Sequence, residues 1–171
     1  MGRVESLELT DDGTFPNNDR LPTLVYRGVL GELEDVDVGD PSSFERLVRS
    51  NGWSGTWRNG IFGYHHYHST AHEVLGIVRG SAQVQLGGPD GPVLHVEAGD
   101  VLVLPAGVAH KNSGSDRAFL VVGAYPEGQD WDLLRGESGE RPEADENIAE
   151  VPMPAADPVF GEAGPVGERW G

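Results

Sequence analysis

Cysteine is absent from the 171 residues, so disulfides, thiolate zinc sites and thiol catalysis are excluded. Lysine is nearly absent too, because Lys111 is the only one in the chain. Positive charge is scarce overall, with 12 basic residues against 28 acidic and a net charge of −16. Phosphate backbones and anionic membrane surfaces would be repelled by such a chain, so no nucleic-acid and no membrane partner is expected. No run approaches the roughly 18 apolar residues of a membrane span, and MGRVESLELT has no apolar core of a signal sequence. The first six residues formally fit a myristoylation pattern, one too short to be read as more than coincidence. The expected location is cytoplasmic.

What is present is enough apolar residue for one core and an excess of turn formers. Leu, Ile, Val and Phe make up about a quarter of the chain, above the level of a disordered one. The 25 Gly and 12 Pro point to many turns and so to many short strands. One helix is well signalled: Asp40 as N-cap, Pro41 at the first position, Phe44, Leu47 and Val48 on one stripe, and Asn51-Gly52 as the stop. LPTLVYRGVL (21–30) reads as a strand opening the fold.

From Trp53 to Pro126 the chain becomes a series of β-rich runs broken by Gly, Pro and Asp: 63–68, 73–80, 81–88, 92–99, 100–107 and 118–125. Strands at about ten-residue spacing without intervening helices predict an antiparallel sandwich or barrel. The expected division is a strand-and-helix extension packed on the barrel (1–52), the barrel itself (53–126) and a C-terminal extension (127–171), in one domain. Between Glu137 and Gly171 lie nine acidic residues, two Arg and five Pro. That composition predicts a wrapped or partly mobile extension without a core of its own.

Four of the six histidines fall in HHYHSTAHE (65–73). On a strand His66 and His68 share a face, about 6.6 Å apart, and can converge on one ion at bonds of about 2.1 Å. Glu73 opens the next strand and could add an oxygen, and His110 follows the turn Pro105-Ala106-Gly107. Three imidazoles and a carboxylate leave two octahedral positions open, which suits Fe(II), Mn(II), Co(II) or Ni(II) and admits Zn. Buried in an apolar barrel without pairing or a metal, these groups would be costly. The expected cofactor is therefore one divalent metal ion per chain.

Phe62 and Tyr64 share the face of His66 and are candidates to line a substrate pocket, or simply to pack in a core. Asn112 shares the face of His110, with a substrate or ligand hydrogen bond and a structural role equally open. Trp53, Trp57 and Arg58 are read as pocket rim or subunit contact. His65 is expected to pack or meet a subunit, His72 to be surface or to support a ligand, His95 to be surface, and Lys111 to point outward.

The spacing resembles the two motifs of the cupin superfamily. Gly60, five residues, His66-Tyr67-His68, four residues, Glu73, six residues, Gly80 is similar to the first motif. Gly99, five residues, Pro105-x-Gly107, two residues, His110 is similar to the second. The second motif usually closes with Asn four residues after its His, where this chain has Gly114. More narrowly, FPNN…LP, NGW…WRNG and HHYHSTAHE resemble the YjlB-like small bacterial cupins. The resemblance implies an all-β double-stranded β-helix, or jelly roll, whose closure as a barrel would remove exposed sheet edges. It implies the metal set His66, His68, Glu73 and His110, and homodimers are common among small cupins.

For function the first expectation is a metal-dependent oxidoreductase of the dioxygenase type acting on a small organic molecule, with Fe or Mn favoured. A metal-dependent isomerase or lyase, and a non-catalytic small-ligand-binding barrel, remain alternatives, because one fold hosts many functions.

Overall fold

The computed structural model describes residues 3–171; the N-terminal pattern around Gly2 lies outside them. Among the described residues nine strands form two antiparallel sheets. They are β1 (Val4–Leu9), β2 (Asn18–Tyr26), β3 (Trp53–Asn59), β4 (Glu73–Arg79), β5 (Ser81–Leu86), β6 (Val93–Glu97), β7 (Val101–Leu104), β8 (His110–Ser115) and β9 (Leu120–Pro126). The larger sheet has the order β1-β2-β7-β4-β9-β3, and the smaller is β6-β5-β8. The two face each other as a jelly roll.

Alternation along β4 explains how both faces of the larger sheet are buried. Leu75 and Ile77 join Leu102, Leu104 and Val121 in packing against Val84, Leu86 and Val96 of the smaller sheet. Val74 and Val78 point the other way, into a second cluster with Phe44, Val48 and Trp170. A central strand buried on both faces needs a continuous apolar run, as VLGIV supplies after Glu73. Helix α1 (Pro41–Ser50) covers that outer face, its Asp40 carboxylate accepting from Ser42 N at 3.0 Å. The Phe44 ring sits directly on Gly76, where any Cβ would fall 2.5 Å from it.

Three features differ from the expectation. First, the ladder does not close into a barrel: β1, β3, β6 and β8 remain sheet edges. The jelly roll holds instead by face-to-face packing. Second, the run 63–68 forms no strand and makes two isolated bridges, His66 with His110 and Tyr67 with Leu134. Its neighbours there are the start of β8 on one side and an irregular segment after β9 on the other, so no regular ladder can propagate. Third, the extension 127–171 carries two helices, α2 (Glu143–Glu150) and α3 (Pro165–Trp170).

That extension is tied to the body by buried groups. Trp170 Nε1 donates to Pro22 O at 2.8 Å, and Trp53 Nε1 donates to Ala156 O at 2.9 Å. Asp157 receives the Tyr26 hydroxyl and three backbone N–H groups. Among the described residues no helix is long and apolar enough to cross a membrane.

Candidate metal centre

Glu73 is the first residue of β4 and shares the inner face of Leu75 and Ile77, so its carboxylate enters the space between the sheets. His110 is the first residue of β8, and the loop 65–72 brings His66 and His68 to the same place. His68, Glu73 and His110 each offer a ligand atom within 4.8 Å of the others, and all three are buried. Glu73 Oε1 lies 3.4 Å from Nε2 of His68 and 3.4 Å from Nε2 of His110. With metal bonds of about 2.1 Å, neighbouring ligand atoms stand roughly 3.0 to 3.4 Å apart. That carboxylate oxygen is buried, and these two imidazole nitrogens are its nearest partners, too poorly aligned for a well-formed hydrogen bond. His66 stands beside this group, its ring centroid 4.0 Å from that of His110 and 6.1 Å from that of His68.

The imidazoles are held by their outer nitrogens. Nδ1 of His66 meets Tyr64 O at 3.0 Å, Nδ1 of His110 meets Val108 O at 3.0 Å, and Nδ1 of His68 meets Asp132 O. A carbonyl can only accept, so each Nδ1 carries a proton, and whenever the ring is neutral its Nε2 presents a lone pair inward.

At His66 and Glu73 electrostatics suit the same end, whereas at His68 a cation would have to displace a proton. Burial, reinforced by His110, pulls His66 down to about 3, so it is neutral at physiological pH. Burial would push the Glu73 carboxyl up, but His68 and His110 overcome it and hold the group ionised. Burial likewise opposes charge on His68, yet the Glu73 carboxylate beside it raises its pKa.

The cluster forms the floor of a cavity of about 280 Å³. Trp57, Phe62, Leu75, Tyr125, Trp131 and Leu133 contribute most of its apolar wall. Trp57 lies flat over Gly123, where a Cβ would come within 2.2 Å of the ring. From there its Nε1 donates to the Tyr125 hydroxyl at 2.8 Å. Burial and the adjacent Glu73 charge push that hydroxyl's pKa up, so it stays protonated. Tyr125 in turn stacks on Trp131, with centroids 6.1 Å apart and planes 18° apart. Phe62 is 48%, Trp131 51% and Leu133 37% exposed, which puts a partly open apolar mouth above the histidines.

The remaining candidate residues fall elsewhere. Tyr64 does not line this cavity: it stacks on Phe62 at 5.0 Å and carries the Arg135 guanidinium over its ring at 3.8 Å. Asn112 does not line it either, since its side chain bonds along its own strand to Ser115 Oγ at 3.0 Å and Gly114 N at 2.8 Å. Arg58 borders the cavity, but its guanidinium is taken by Glu45 and Ser42. Trp53 is in the core. His72 is buried rather than superficial: its Nδ1 accepts from Ala106 N at 2.9 Å and its ring lies 5.0 Å from Trp170. His95 is exposed on β6, and Lys111 pairs in register with Gln85 on β5. Tyr125, Trp131, Leu133 and Asp132 were not expected here. Tyr125 stands on a run readable as a strand, so its inward face follows once the Glu73 register is known, whereas 131–133 have no periodicity to read.

Known proteins place the chain. The cupin family matches residues 56–129. YjlB of Bacillus subtilis, an uncharacterized protein, is 41% identical over 160 residues, which is 94% of this chain and 92% of that protein. The chain belongs to the cupin family. Among solved structures, this cupin aligns with an acireductone dioxygenase from Bacillus anthracis that holds a cadmium ion in its active centre. That alignment spans 52% of the cupin and 60% of the other chain, at 19% identity and a TM-score of 0.38. A DMSP lyase from Ruegeria pomeroyi aligns over 78% of the cupin and 51% of its own chain, at 18% identity and a TM-score of 0.38.

Proposed function

We propose that this cupin holds one divalent cation between His68, Glu73 and His110, with His66 as a fourth ligand, and is a metal-dependent oxidoreductase of the dioxygenase type. The observation that carries the reading is Glu73 Oε1. It is a buried, ionised oxygen with no well-formed hydrogen bond, 3.4 Å from the inner nitrogens of two imidazoles, a spacing that suits ligands of one ion. A buried carboxylate compensated only by a proton on an adjacent imidazole remains costly, and a cation at that point would take over the compensation. Iron or manganese there would supply a Lewis-acid centre with positions open to substrate and O₂.

The chain's own residues do the rest. Three backbone carbonyls fix the imidazole tautomers, and burial keeps His66 neutral without a proton having to leave. Trp57, Phe62 and Trp131 exclude water and offer flat apolar faces to an organic molecule. The cavity is nearly twice the roughly 150 Å³ void that accepts benzene, so one ring with substituents fits.

What favours an oxidoreductase over an isomerase or lyase is the lack of a spare base. Among the described residues lining the cavity, every imidazole and carboxylate belongs to the cation cluster, and Arg58 is already paired. A proton abstraction would need a free base within hydrogen-bond reach.

Elemental analysis of untagged protein, purified without chelators and without oxygen, tests the reading. About one iron or manganese per chain, followed by O₂ uptake with small phenols, diketones or thiols, supports it. Metal without O₂ uptake moves the reading to an isomerase or lyase. A folded protein that carries no metal and refuses added Fe(II) refutes it.

A further inference from the structure

We propose that the segment Gln129–Leu134 is a working part of the metal centre, and that Asp132 is the positioning residue that sets His68. The proposal rests on His68 being a ligand. His66 and His110 each place Nδ1 on a carbonyl two residues earlier in their own segment, so their orientation is local. His68 differs, because its Nδ1 partner is the carbonyl of Asp132, 64 residues further on. The stretch matched by the cupin family ends at 129, so this partner is supplied from beyond it.

The segment is zipped antiparallel along the ligand loop. His72 N donates to Gln129 Oε1 at 3.1 Å, and Thr70 Oγ1 donates to Asp130 O at 2.8 Å. Ser69 N donates to Asp132 Oδ1 at 2.6 Å, and Ser69 Oγ donates to Asp132 Oδ2. Tyr67 and Leu134 exchange backbone bonds of 2.9 and 3.0 Å. Both ends are anchored: Gln129 Nε2 donates to Pro152 O at 3.0 Å, and Glu140 accepts from Tyr67 Oη at 2.8 Å and from Arg135 N at 3.0 Å.

The Asp132 carboxylate is the pin of this zipper. It grips both donors of Ser69, the residue next to His68, and so holds its own carbonyl against the His68 ring. Charge-assisted bonds of this kind are the stronger ones. Without them the ring is free to turn or to take the other tautomer, and Nε2 no longer faces Glu73 by default. Partners of this kind typically change metal affinity by about 10–100-fold.

Co(II) binding to the full chain, followed by visible absorption and chelator competition, tests this with Asp132→Ala, Asp132→Asn and Ser69→Ala. Asp132→Ala should bind Co(II) about 10–100-fold more weakly. Asp132→Asn keeps an oxygen for Ser69 N–H and should regain most of the loss. Long-range ¹⁵N–¹H spectra of the metal-free imidazoles give the second readout. At a pH high enough for the ring to be neutral, His68 should carry its proton on Nδ1 in the wild type and become a tautomer mixture in Asp132→Ala, with His66 and His110 unchanged. Undiminished Co(II) affinity with an unchanged His68 tautomer overturns the proposal. If Asp132→Ala does not fold, Ser69→Ala, which keeps its N–H bond, should show a smaller loss in the same direction, and no change in either readout overturns the proposal. A wild type that binds no Co(II) sinks the metal reading instead, while the tautomer comparison still decides whether the segment sets His68.

Discussion

Replacing Asp157 by Ala tests whether the C-terminal extension belongs to the cooperative unit. The side chain is 1% exposed and accepts four hydrogen bonds. Oδ2 takes the Tyr26 hydroxyl at 2.5 Å and Val166 N at 3.1 Å, and Oδ1 takes Val159 N at 2.8 Å and Phe160 N at 3.0 Å. Tyr26, Val159 and Val166 are themselves buried, so water cannot replace the lost acceptor at those three donors. Each orphaned buried donor costs about 1–3 kcal/mol, partly offset by no longer burying a carboxylate. A net loss of roughly 3–4 kcal/mol is expected, which for a chain of this length lowers Tm by about 6–16 °C. Urea unfolding of the metal-free protein at neutral pH measures it. Tyr26→Phe alone leaves a buried carboxylate short of one donor and should cost about 1.5–3 kcal/mol, whereas in the Asp157→Ala background it removes an orphan and should cost little. A loss under about 1 kcal/mol for Asp157→Ala at unchanged m, or strict additivity of the two changes, refutes the reasoning.

Three further outcomes follow from the site and its surroundings. His68→Ala should reduce Co(II) affinity more than His66→Ala, because His68 sits in the tight group around Glu73 Oε1 and His66 beside it; chelator competition ranks them, and the reverse order counts against the geometry. Gly123→Ala drives a Cβ to within 2.2 Å of the Trp57 ring, so Trp57 must leave its place. Tryptophan emission should shift and Tyr125 should lose its donor, while an unaltered spectrum contradicts the packing. Burial raises the pKa of Tyr26, Tyr67 and Tyr125, helped by neighbouring carboxylates. A raised tyrosine favours the fold below its ordinary value near 10, and that contribution is lost as pH climbs above it. Tyrosinate absorbance from these three should therefore appear together with alkaline unfolding rather than before it.

Legibility in the sequence tracked how local each signal was. Helix α1 could be read because its cap, its proline and its stripe all lie within a dozen residues. The spacing of His66, His68, Glu73 and His110 was equally plain, and the fold brings three of them within 4.8 Å. Helix α3 had its own marker, Pro165 at the first turn, but its apolar residues Val166 and Trp170 are too few to show a period. The stretch 63–68 reads as a strand, yet strand alternation says which face a residue takes and not whether a partner strand exists. Asp132 and Trp131 were illegible for a different reason: their roles arise from a return of the chain across more than sixty residues, and no local pattern encodes that.

Lys111 has a practical consequence. It is the only lysine, it follows His110 directly on β8, and the alternation of that strand turns it away from the cavity. Amine-directed chemistry on the chain thus has one side-chain address, a single residue from the histidine and glutamate cluster. A dye or spin label attached there would report on the centre from outside the cavity, leaving the imidazoles and Glu73 chemically untouched.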